Sequence, residues 1–222
     1  MPRSTVIAGL PVNRKDCTDV PELVSIAEWN PALNDEVTLR DAYDSMPGGS
    51  PADIPWYVRL LENPASPVAL PGAVDLFGHD CIHIVLGRGM LPQDEAFVVG
   101  FTMGASGKLA GWQRELFTLC ARHVYRGSYR FSGTDRLVFN LAADFAARSA
   151  RRPVHDAGWH DLLDLPAGEV RASLGISTRS LTGVYDSERA LCPGSTAAMR
   201  LARHGDYDAA GGFKALCVAG QA

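Results

Sequence analysis

The chain has 222 residues, a formal net charge of -4 and 46% hydrophobic residues, enough apolar material for one packed core of ordinary domain size. The mildly acidic balance excludes nucleic acid as the main partner, because gripping phosphates takes a basic face that displaces counterions. The five cysteines (Cys17, Cys81, Cys120, Cys192, Cys217) are odd in number, widely spaced and without a CxxC pair, which predicts free thiols in a reducing, cytoplasmic compartment.

In chain order, Pro21 followed by Leu23, Ile26 and Ala27 predicts a short first helix, and Val37, Leu39, Ala42 and Tyr43 a second that runs into Pro47-Gly48-Gly49. Ser50 as cap and Pro51 in the first turn open a third helix filled by Trp56, Val58, Leu60 and Leu61, and the three prolines of 63–71 make a connector. A fourth helix is predicted over 73–86, stopped by Gly87-Arg88-Gly89, where glycine supplies the positive φ that ends helices. A fifth starts at Pro92 and carries Phe97, Val98 and Phe101. Helical spacing continues through Leu109, Trp112, Leu116, Leu119, Cys120 and Val124, then through Leu137, Val138, Leu141 and Phe145 up to Pro153. A short helix over 166–174 ends at Gly175, after which the chain turns richer in Ser, Gly and Ala, with one further helix expected over 197–204. Strand-like alternation is scarce. The expectation is an all-α single helical domain over 1–176 that carries the site, with a C-terminal extension over 177–222.

The N-terminus has no continuous apolar region of the signal-peptide kind, and the longest apolar stretch, 96–105, is too short to cross a bilayer. The protein is therefore expected to be soluble, at most peripheral to the inner face of a membrane.

The chemistry concentrates on the fourth helix. His79 and His83 are four residues apart, so both imidazoles leave one helix face about a turn from each other and can grip one ion. Asp80 lies about 100° around from His79, able to reach the same ion or to orient a ligand and move protons. The Gly87–Leu91 loop reverses the chain, and if the two consecutive helices pack antiparallel, Glu95 in the next first turn faces His83. Two imidazoles and one or two carboxylates with open positions suit catalytic zinc, or ferrous iron in a facial triad. A lone HxxxH is often a surface accident or a mutually hydrogen-bonded pair. Here Phe77, Cys81, Ile82, Val85 and Leu86 make the helix apolar over most of its circumference, which places the polar groups inside, where unpaired they are costly.

The string His79-Asp80-Cys81-Ile82-His83, eleven residues and then Glu95, resembles the HDxxH and distal glutamate signature of the ubiquinone (coenzyme Q) biosynthesis protein 4 family. Val85-Leu86-Gly87-Arg88-Gly89 resembles that family's glycine-containing stretch after the second histidine. Met46-Pro47-Gly48-Gly49-Ser50 with Tyr57 and Leu61 resembles its upstream pattern, and Trp159, Pro166, Val170-Arg171 and Leu174-Gly175-Ile176 its closing segment. The resemblance covers about 40–176. Asp94 stands where the family usually has glycine, Val74 to Gly78 replaces a basic and aromatic run, and the tail beyond Ile176 has no counterpart. The resemblance implies an all-helical, peripherally membrane-associated protein acting on a prenylated aromatic ring, as oxidative decarboxylase or as organiser of other biosynthetic enzymes. A homo-oligomer is compatible with it.

Two other classes compete. One is a non-catalytic isoprenoid-lipid-binding or scaffold protein with a structural metal held by four protein ligands. The other is an HD-type hydrolase, which needs a further histidine well upstream, and no histidine precedes His79. Cys81 reads as a core thiol, His123 beside Arg122 and Arg126 as surface, and His155 and His160 as structural. His204 carries no signal. Gly104, Gly107 and Gly111 read as a loop or close helix packing rather than a phosphate loop, since no GK[ST] follows. The row Phe97, Val98, Phe101 and Met103 reads as core, with a prenyl tunnel as the rival.

Overall fold

Residues 25–47, 63–125 and 130–203 are described by the computed structural model, and among them lie eight α-helices and no β-strand. The third predicted helix, most of the first and His204 fall outside the described residues. The end of the first prediction, from Ser25 to Trp29, is a hydrogen-bonded turn.

The helices are α1 (Leu39–Asp44), α2 (Leu76–Leu86), α3 (Pro92–Ala105), α4 (Gly111–His123), α5 (Gly133–Ser149), α6 (Ala167–Leu174), α7 (Thr178–Leu191) and α8 (Thr196–Met199). Two 3-10 turns, Val154–Asp156 and Trp159–Leu162, link α5 to α6. The chain is all-α, as the spacing of its apolar residues predicts.

Local chemistry sets the ends. Helix α2 begins at Leu76 rather than at 73 because the Asp75 carboxylate accepts the Gly78 N–H at 2.7 Å and so caps it. It stops where Gly87 adopts φ +61, a conformation costly for any residue with a Cβ. An added Cβ would also press on the Ala32 backbone. Pro92 opens α3, Ser132 and Asp135 cap α5 reciprocally, and Gly175 at φ +72 ends α6.

The most extensive helix pairing joins α3 to α5. Gly100 and Gly104 make it, since a Cβ at either would overlap the carbonyls of Phe139 and Ala143. Gly104 is thus the close helix packing expected, and Gly107 is a turn at φ +67. Helix α3 is buried on two sides: Phe97, Val98 and Phe101 face the main core, while Ala96, Val99 and Met103 join Phe117, Phe131 and Phe139 in a second one. Phe97 packs edge-on to Tyr185 at 5.4 Å between ring centres, and Phe101 against Phe145 at 6.0 Å. The apolar row beside Glu95 is therefore packed core, and each such ring contributes about 1.5–3 kcal/mol by leaving water.

Helix α7, within the stretch read as an extension, belongs to this core. Leu181, Val184 and Tyr185 recur at helical spacing and pack with Phe97, Leu86 and Trp29 in one cluster. The Tyr185 hydroxyl donates to the Leu86 carbonyl at the end of α2. The further helix expected over 197–204 is the single turn of α8.

Candidate metal centre

Helix α2 and the first turn of α3 bring His79, His83 and Glu95 together. One ligand atom from each lies within 4.8 Å of the others. His83 Nε2 stands 3.1 Å from His79 Nε2 and 3.4 Å from Glu95 Oε1, and His79 Nε2 is 3.1 Å from Glu95 Oε2. These residues sit on consecutive helices joined by a reversing loop, as the spacing predicts. Asp80 is not in the converging set. It is partly buried on α2, and burial, aided by Glu95 and Asp75 and opposed by His79 and His83, holds its carboxyl above the usual range.

His83 is fully buried, and its Nδ1 donates to the Gly89 carbonyl at 2.8 Å. A carbonyl only accepts, so Nδ1 carries a proton and Nε2 is the ring nitrogen turned toward the group. Burial works to raise Glu95, but the charge of His83 and hydrogen bonds from His79 and His83 outweigh it and hold the carboxyl well below its usual range. A carboxylate held anionic and the Nε2 atoms of two imidazoles thus point at one spot.

The spacing fits a cation. Ligands about 2.0–2.1 Å from a tetrahedral zinc sit roughly 3.3 Å apart. An octahedral ion at the same radius brings neighbouring ligands to roughly 3.0 Å. The nearest distances, 3.1 to 3.4 Å and reaching Glu95 through both of its oxygens, lie close to these values, so the His79, His83 and Glu95 group could hold a divalent metal ion. The site has an inner and an outer side: His83 is 0% exposed, whereas the side chains of His79 and Glu95 keep 20% and 26% of their surface in contact with solvent.

A second set of residues, which sequence reasoning missed, braces the loop between the two helices. Arg88 is fully buried and donates from Nη1 and Nη2 to the Glu188 carboxylate of α7 at 2.9 and 3.0 Å. Its Nε lies 3.1 Å from Asp94 Oδ1, an ion pair without hydrogen-bond alignment, and its guanidinium sits 4.4 Å over the Phe97 ring. Burial disfavours the Arg88 charge, but Glu188 and Asp94 outweigh it and hold the group protonated. The only trace of this in the sequence is Asp94, which stands where glycine was expected and accepts the Leu91 N–H at 3.1 Å.

The remaining candidates are placed as follows. Cys81 is buried, and burial, with Asp80 and Asp75 adding, pushes its thiol up to about 12, which makes it an inert core residue. His123 is exposed at the end of α4. His160 is exposed and stacks on Phe77 at 4.3 Å, and His155 is half-buried in the 3-10 turn.

No protein-family model, curated protein or solved structure matches the chain. What fold and site define is an all-α protein with a two-histidine, one-glutamate group able to hold a metal ion. No described helix is long and apolar enough to cross a membrane.

Proposed function

We propose that the chain is a metal-dependent protein of quinone or isoprenoid-lipid metabolism, acting on a prenylated aromatic ring in an oxidative decarboxylation or a related lyase step. The observation that carries the reading is the half-open donor set. Structural zinc is closed by four protein ligands, whereas only three converge among the described residues, and two of these border solvent. Zinc fits His79, His83 and Glu95, with ferrous iron as the alternative for a facial triad. A bound ion there supplies a Lewis acid for a ring carboxylate or, as iron, a centre for dioxygen. His83 anchors the inner side, His79 and Glu95 frame the outer side, and Asp80, one residue from His79, is placed to hold or pass a proton. An HD-type hydrolase is less well supported, because Glu95 rather than the Asp80 of the dyad completes the group.

The lipid part of the proposal is supported by α4. Trp112, Leu116 and Leu119 share the face opposite buried Phe117 and Ala121, and Trp112 and Leu119 are 67% and 59% exposed. Exposed Arg122 and Arg130 lie beside this stripe and form no ion pair with a described carboxylate. Glu115 on this face is paired with Arg136, so the charge left unpaired beside the apolar stripe is cationic, which suits the surface of an anionic membrane.

The deciding experiment is elemental analysis of protein purified without added metal, with mass spectrometry of its lipid extract. Close to one equivalent of zinc or iron and a prenylated aromatic compound are expected. Metal-free, lipid-free protein that also fails to take up zinc or ferrous iron on titration would sink the proposal.

A further inference from the structure

We propose that Glu188, on the C-terminal helix α7, is a positioning residue for the metal centre, acting through Arg88 on the Gly87–Leu91 loop. The inference rests on the metal-centre reading of His79, His83 and Glu95. It concerns a residue outside the stretch that resembles a known family, which ends at Ile176.

The orientation of His83 depends on a backbone atom. Its Nδ1 proton goes to the Gly89 carbonyl, and that carbonyl sits in a five-residue loop containing two glycines, a soft piece of chain. Between the glycines, Arg88 points inward, where its guanidinium meets Glu188 through two hydrogen bonds and reaches the Gln93 carbonyl at 3.3 Å. The same guanidinium pairs with Asp94, the neighbour of Glu95, and Asp94 in turn fixes the Leu91 N–H. One side chain therefore pins both halves of the centre, the carbonyl that orients His83 and the helical turn that presents Glu95.

Glu188 makes that possible. Arg88 and Glu188 are both fully buried, so without the carboxylate the guanidinium would keep only Asp94 as counter-charge and would have to move toward it or toward water. Gln93 Nε2 also donates to Glu188 Oε1, and the Ser195 hydroxyl donates to Gln93 Oε1, so the brace extends to the start of α8. None of these side chains belongs to the converging ligand set, so their effect is on ligand geometry. Outer groups that orient metal ligands typically change metal affinity by about 10- to 100-fold when removed.

The test compares Glu188→Gln with Phe117→Leu, a packing change in the second core, on the full chain. Zinc affinity is measured by chelator competition, the visible spectrum of the cobalt(II) form is recorded, and melting is followed without metal. The expected result is a zinc affinity roughly 10- to 100-fold weaker in Glu188→Gln, with shifted cobalt bands, while Phe117→Leu lowers the melting temperature and leaves both metal readouts at the wild-type values. Glu188→Asp, which keeps the charge, should fall between the two and carries the same test if Glu188→Gln does not fold. Wild-type affinity and cobalt spectrum in a folded Glu188 variant would overturn the proposal, as would an equal loss of affinity in Phe117→Leu. Failure of the wild type to bind zinc or cobalt is a separate result, which removes the metal centre itself.

Discussion

His83 commits one ring nitrogen to Gly89 and turns the other toward His79 and Glu95, so replacing it by alanine removes one donor of the candidate metal centre and leaves the buried Gly89 carbonyl without that hydrogen bond. His83→Ala is expected to lose most of its bound metal. Its apo form should be about 1–3 kcal/mol less stable, the cost of the unsatisfied group. Metal content by plasma mass spectrometry and calorimetry with and without chelator check both, with His123→Ala as a surface control that should change neither. Wild-type metal content in His83→Ala would remove His83 from the site. The convergence of His79, His83 and Glu95 was readable in the sequence because helix geometry converts a spacing of four into one face, and two glycines mark the turn that brings Glu95 back, whereas Asp80 lies outside the group. Gly89 was not readable as a partner, since a carbonyl has no residue identity. Glu188 was not either, because its partner lies 100 positions away and no periodic pattern connects them.

At the level of elements, the α3–α5 pairing depends on the absence of side chains at Gly100 and Gly104. Gly104→Val places a branched side chain against the Ala143 carbonyl, and the overpacking should cost about 1–3 kcal/mol or more, visible as a lower denaturation midpoint at constant slope. Gly107→Ala, at a turn with open space around it, should cost only the strain of its positive φ. Equal midpoints for Gly104→Val and wild type would mean that the two helices do not approach as closely as described. Helix ends were legible at Gly87 and Gly175, where a glycine in the left-handed conformation stops the helix, whereas the Asp75 cap was passed over and the start of α2 was placed too early. Helix α7 escaped notice for a physical reason: its core-facing row reads Leu181, Val184, Tyr185 and then Glu188, so the apolar stripe is broken by the carboxylate that serves Arg88. The surrounding serines, glycines and arginines complete the appearance of a loose tail.

For the whole molecule, two consequences follow from where α7 and α4 lie. A chain ending at Ile176 loses Leu181, Val184 and Tyr185 from the main core and leaves Arg88 short of a partner. Removing one partner of a buried pair alone costs about 3–5 kcal/mol, against a total stability of about 5–15 kcal/mol. Such a chain should show no cooperative melting by near-ultraviolet circular dichroism, and a sharp transition in it would show that α7 is dispensable. Helix α4 packs on the second core through Phe117 and Ala121. Its exposed Trp112, Leu116 and Leu119 stripe, with Arg122 near its end and Glu115 beside it paired to Arg136, carries the proposed contact with an anionic lipid surface. The full-length protein should therefore co-sediment with phosphatidylcholine vesicles containing phosphatidylglycerol, less with pure phosphatidylcholine, and less again as salt is raised. Trp112 emission should shift to the blue on binding, and Leu119→Glu should abolish both signals without changing the melting temperature. Binding unaffected by Leu119→Glu would assign the membrane contact to another face, and no binding to either vesicle would take away the support that α4 lends to a lipid substrate.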